Sequence, residues 1–142
     1  MNYLPKINEL VEIANFFCRK YNFTVTTCSE QICGMGCAVI KLNKENFPPI
    51  LIEMERYIIS FQVEFEENAF VSMECIYKYF NPKEILRSNL SYRKKKNFKN
   101  FFISDYDKYM DFYIKNFSQI NFEKINEFYT KYPVYVWKWI EK

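Results

Sequence analysis

The chain contains no histidine, and only 2 glycines and 5 prolines among its 142 residues. Without imidazole, the mechanisms that use it as general base, general acid or metal ligand are removed. Without a glycine-rich run there is no phosphate-cradling loop of the nucleotide-binding kind. No window approaches the 18 or more apolar residues of a membrane span. The first residues, MNYLPKINELVEIANFF, place Glu9 and Glu12 inside the apolar stretch, so no signal-peptide core is expected there. The five cysteines, Cys18, Cys28, Cys33, Cys37 and Cys75, are odd in number and fit no even disulfide framework. Reduced thiols and a cytoplasmic location are the expectation.

Aromatic residues are abundant, at 20% of the chain. That much apolar surface must be buried, which excludes disorder for the whole chain. Part of the load reflects an AT-rich gene, because Phe, Tyr, Ile, Asn and Lys abound while Gly and Arg are scarce. The net charge of +3 is too mild to mark a nucleic-acid binder by itself. Residues 1–81 carry net −3 and residues 82–142 net +6, so the chain has an acidic first half and a basic second half.

Ile7, Leu10, Val11, Ala14, Phe17, Cys18 and Tyr21 recur at helical spacing and predict an amphipathic helix over 5–21. Phe23 to Cys28 is rich in β-branched residues and predicts a strand. Ser29 to Gly36 reads as a turn into a strand over 37–42, and 43–49 as a connecting loop. Ile50, Ile52 and Met54 predict a strand whose parity is reset near Glu55 and Arg56. Tyr57, Ile59, Phe61, Val63 and Phe65 alternate with polar residues. After Glu67 and Asn68 the alternation resumes through Val71, Met73, Cys75, Tyr77 and Tyr79, which predicts a long hairpin. A helical spacing over 50–61 competes with this reading.

Asn81-Pro82 with Glu84 resembles a helix start running toward Leu90. Residues 92–100 are basic and without periodicity. Ser104 is the expected cap of a helix with Tyr106, Tyr109, Met110, Tyr113, Ile114 and Phe117 inward and Asp105 and Asp107 in its first turn. Asn121 is the expected cap of another, with Ile125, Phe128, Tyr129 and Tyr132 inward. Glu127 and Lys131 are spaced to pair on it, and Pro133 ends it. The tail, VYVWKWIEK, fits a helix or a strand. The fold class is therefore α+β: an N-terminal helix, an antiparallel β-meander and C-terminal helices in a single domain over 1–142.

Five groups of residues bear on function. Cys33 offers a thiol in a glycine turn, but no histidine can serve as its base. Cys28, Cys33 and Cys37, with Cys18 or Cys75, could hold zinc, although the close C-x2-C knuckle is missing. Arg93, Lys94, Lys95, Lys96 and Lys99, interleaved with Tyr92, Phe98, Phe101 and Phe102, combine phosphate-binding charge with rings able to stack on bases. Glu53, Glu55, Glu64, Glu66, Glu67 and Glu74 fall on the polar face or the turn of the expected sheet, where they would present an acidic surface to a basic protein. Trp137 and Trp139, near Tyr132 and Tyr135, are either interface anchors or core residues.

By subtraction the chain is expected to bind rather than catalyse, and to need neither cofactor nor metal. Its partner would carry positive charge, as a nuclease domain does. In size, AT-rich composition and helix-then-meander layout, the chain resembles immunity proteins of bacterial toxin systems, including contact-dependent growth inhibition. That resemblance implies a compact cytoplasmic protein that binds a cognate toxin domain and blocks it. With a net charge of +3, the acidic surface must then be local to residues 53–74. The alternative is a nucleic-acid-associated regulator or phage-type accessory protein using residues 93–99.

Overall fold

The fold comes from a computed structural model that describes residues 7–30, 38–55, 58–87, 98–131 and 140–141. Helix α1 (Ile7–Tyr21) buries Leu10, Ile13, Ala14 and Phe17, a stripe at three- and four-residue spacing. It stops where Asn22 adopts φ 61°, a left-handed residue that turns the chain out of the helix. The Phe23 N–H then donates to the Cys18 carbonyl at 3.2 Å, and Lys44 Nζ donates to the Tyr21 carbonyl at 2.8 Å.

Strands β1 (Thr24–Glu30), β2 (Ala38–Lys44), β3 (Phe47–Glu55), β4 (Ile58–Glu66) and β5 (Ala69–Ser72) follow as an antiparallel meander in chain order. The helical spacing over 50–61 does not prevail. Two connections are two-residue turns, Glu45-Asn46 and Glu67-Asn68, each with asparagine at positive φ. The expected loop over 43–49 is thus a tight hairpin. Pro48 and Pro49 sit in β3 opposite Asn43, where the ladder shifts register between Leu42 and Lys44. The pairing of β3 with β4 runs from Ile50 to Glu55, so neither proline must supply a ladder N–H there. The chain reverses between Glu55 and Ile58, which accounts for the change in parity.

On the inner face the register aligns Ala38, Met54 and Ile59 in one row and Ile40, Ile52 and Phe61 in the next. A third row holds Leu42, Ile50, Val63 and Val71. All of these are buried.

The second half of the hairpin departs from expectation. β5 ends at Ser72, and Met73–Phe80 is a helix, α2. The Ser72 hydroxyl accepts from the Cys75 N–H at 3.3 Å, and Met73, Ile76 and Tyr77 are buried. Alternation would have turned Ile76 to solvent, whereas the helix buries it. Asn81 is correspondingly a C-cap rather than an N-cap: its side-chain amide donates to the Tyr77 carbonyl at 2.9 Å. Of the helix expected toward Leu90, the described residues, 82–87, form a turn and β6 (Leu86–Arg87) instead. β6 pairs in parallel with β7 (Ile140–Glu141).

Helix α3 (Phe98–Lys115) begins before Ser104, so Ser104, Asp105 and Asp107 are interior positions. A 3-10 turn (Phe117–Gln119) leads to α4 (Phe122–Lys131). The Asn121 cap is as expected: its Oδ1 accepts from the Lys124 N–H at 3.0 Å. Ser29 and Glu30, expected in the turn, continue β1, and Ile140 and Glu141 of the tail are strand; the expected Glu127–Lys131 pair, the two glycines, most of the basic run, Trp137 and Trp139 lie outside the described residues or side chains.

The helices pack on the inner face around Phe61, whose ring meets Phe17, Phe102 and Tyr106 with centroids 4.7–5.6 Å apart. Two clamps hold α1 to α3. Asp107 accepts from Lys20 at 2.7 Å and from the Tyr21 hydroxyl, and Lys99 pairs with Glu12. One core cluster joins the sheet to α1, α2, α3 and α4, giving a two-layer α+β domain.

Candidate functional site

The outer face of the sheet is set by parity. Met54, Ile52 and Ile50 point to the core, so Glu53 and Leu51 point away. Register places Val39, Glu53 and Ser60 side by side, then Lys41, Leu51, Gln62 and Ser72, then Glu64 opposite Phe70. All are half-buried, and Val39, Leu51 and Phe70 lie outside the core cluster. Lys41 on β2 reaches past β3 to Glu64 on β4, with Nζ 3.5 Å from Oε1. Apolar and charged side chains therefore alternate on this face. It is less acidic than the sequence suggests, since Glu64 is compensated.

Glu55 closes β3, in register with Ile58. Glu66 and Glu67 are exposed at the β4–β5 turn. Glu74 does not join them. It lies in the first turn of α2, where its buried carboxylate accepts from the Tyr106 hydroxyl. Burial raises its pKa, and the bonds from Tyr106 and Ser72 oppose the rise. The correction follows from the period of α2: a helix starting at Met73 rotates residue 74 off the sheet face.

Beside the turn, α4 brings up a feature that local sequence patterns did not reveal. Glu123 contacts Glu66, and both the hydrogen bond between the carboxyls and the repulsion of their charges raise the Glu66 pKa. The two line a pair of adjoining clefts of about 470 and 650 Å³. Phe65 and Phe122 also line the first, their rings stacked 5.7 Å apart and 4° from parallel. Glu127 and Asn126 continue the wall of the second. Glu123 is tolerated at the N-terminus of α4 because the helix dipole favours an acid there.

The other candidate groups separate. Lys99 lies in the first turn of α3, paired with Glu12, while Arg93, Lys94, Lys95 and Lys96 fall outside the described residues. Cys28 is exposed on edge strand β1, whereas Cys75 is on α2, next to β5. Sheet order puts four strand spacings, roughly 19 Å, between β1 and β5. Cys33 and Cys37 lie outside the described residues, among which no group of three Cys, Asp or Glu could hold a metal. Burial pushes the Cys75 thiol up to about 12, and Cys18 is raised for the same reason, so neither is poised as a thiolate.

A polar knot between α2 and α3, with Lys78 buried and Lys108 exposed, is structural in character. Lys78 donates to the Glu84 carbonyl, and Lys108 lies 3.7 Å from Glu84 Oε1 and 5.3 Å from the Tyr77 ring. It ties the turn after α2 to the helices.

Among the described residues no helix is long and apolar enough to cross a membrane. No protein-family model matches the chain, and no curated protein or solved structure is significantly similar to it.

Proposed function

We propose that this chain is a non-enzymatic binding protein that neutralises a cognate bacterial toxin by covering its active site or substrate surface. The observation that carries this reading is the outer sheet face, where Val39, Leu51 and Phe70 are set among Lys41, Glu53, Gln62 and Glu64. Apolar centres among polar and charged groups suit protein interfaces. The exposed acids at Glu66 and Glu67 extend that surface and add attraction for a basic partner such as a nuclease domain. The cytoplasm, where such a toxin acts, is the proposed location. Cys18 and Cys75 are poor candidates for thiol chemistry, and the engagement of Lys99 with Glu12 weakens the nucleic-acid alternative.

The test is co-expression with toxin candidates encoded beside the gene. Rescue of growth, together with a stable complex, supports the reading. Charge reversal at Glu53 and Glu64 then weakens the complex, chiefly through slower association at low salt. Failure to rescue any of them overturns it. So does salt-sensitive binding of single-stranded RNA or DNA that is abolished by neutralising Arg93, Lys94, Lys95 and Lys96.

A further inference from the structure

The groove between the β4–β5 turn and α4 combines two stacked aromatic rings, Phe65 and Phe122, with a carboxylate rim of Glu66, Glu123 and Glu127. No lysine or arginine is among its described lining residues. Glu66 and Glu123 both line each cleft, and the repulsion between their carboxylates, which raises the Glu66 pKa, is relieved by a bound cation. A guanidinium matches both features at once, because it forks onto carboxylates and stacks on aromatic faces. The two clefts share Phe65, Glu66 and Glu123 in their walls, and their volumes of about 470 and 650 Å³ suit a peptide segment rather than a single ion.

We propose that this groove receives an arginine-bearing segment of the protein partner, with a guanidinium bridging Glu66 and Glu123 beside Phe65 and Phe122. This rests on the reading of the chain as a binding protein and names the chemistry the partner must offer. Glu123 thereby becomes a recognition residue, although it is remote in sequence from the acidic strands.

A capped hexa-arginine peptide, titrated into the full chain at low salt and followed by NMR, tests the proposal. The amides of Glu66, Ala69, Glu123 and Asn126 are expected to shift together. Glu66→Gln with Glu123→Gln keeps size and shape at an exposed site while removing the charge. It is expected to weaken the peptide roughly tenfold or more, the scale of losing a charge-assisted hydrogen bond. Hexalysine is expected to bind more weakly, and Glu45→Gln with Asp111→Asn, two acids outside both the groove and the outer sheet face, to leave hexa-arginine binding unchanged. Undiminished binding by the Glu66/Glu123 variant overturns the proposal, as does an equal loss in the Glu45/Asp111 variant. A concentration-dependent dimer abolished by the Glu66/Glu123 variant also overturns it, since the groove would then hold a second copy of this chain. Groove binding without protection against any toxin leaves this proposal standing and removes the toxin reading. Protection without any peptide response in the groove does the reverse.

Discussion

Glu74 shows how one buried carboxyl can shape stability. Burial raises its pKa above the ordinary 4.5, so the native state holds the proton more tightly than the unfolded chain does. The contribution to stability is full below pH 4.5 and is lost as the pH rises through the raised value. The Tyr106 hydroxyl limits that loss by donating to the ionised form. Tyr106→Phe is therefore expected to cost roughly 1–3 kcal/mol, more at pH 8 than at pH 4.5, in urea unfolding at the two values. Glu74→Gln keeps an acceptor for Tyr106 without a charge and is expected to flatten that pH dependence. If the two variants show the same pH profile as the parent protein, Glu74 titrates as it does in the unfolded chain.

The segment from Val71 to Phe80 satisfies two periods at once, and elements are where that ambiguity is decided. Val71, Met73, Cys75, Tyr77 and Tyr79 alternate, while Met73, Ile76, Tyr77 and Phe80 recur at helical spacing. The deciding feature is Ser72, whose hydroxyl caps Cys75. Ser72→Ala is expected to lower stability by about 1 kcal/mol, with loss of helical signal in α2 before global unfolding. An unchanged midpoint would mean that packing of Ile76 alone selects the helix. α1 was legible because its apolar residues fit a single period, and β3 and β4 because their alternation outweighed the competing helical spacing over 50–61. So was the Asn121 cap, since a local hydrogen bond makes it. The start of α3 was not, because Ser104-Asp105-Tyr106-Asp107 mimics a helix N-terminus within a helix that Phe98 and Phe102 extend backward by packing on the core. At the candidate site, alternation was enough to find Glu53, Glu64 and the Glu66–Glu67 turn. Glu123 and Glu127 were hidden because only tertiary docking of α4 brings them to that turn.

Across the whole molecule, burial is graded from one sheet edge to the centre. β3 and β4 each have neighbours on both sides, and Ile50, Ile52, Phe61 and Val63 are fully buried. β1 is an edge strand, exposed from Thr24 to Cys28, and its ladder with β2 shifts between Val25 and Thr27. Such a bulge twists an edge and discourages pairing with other chains. Because one core cluster spans the sheet and α1 to α4, opening the centre requires losing most of the apolar contacts together, whereas β1 can detach alone. Native-state hydrogen exchange is therefore expected to be slowest at the paired amides of Ile50–Met54 and Ile59–Val63, with the free energy of global unfolding. The amides of β1 are expected to exchange by local fraying, at rates nearly independent of low denaturant. The proposed docking surface would then rest on the least mobile strands, holding Leu51, Glu53, Gln62 and Glu64 in place before a partner arrives. Equal protection in β1 and β3 would contradict this gradient and would mean that the edge opens only with the whole domain.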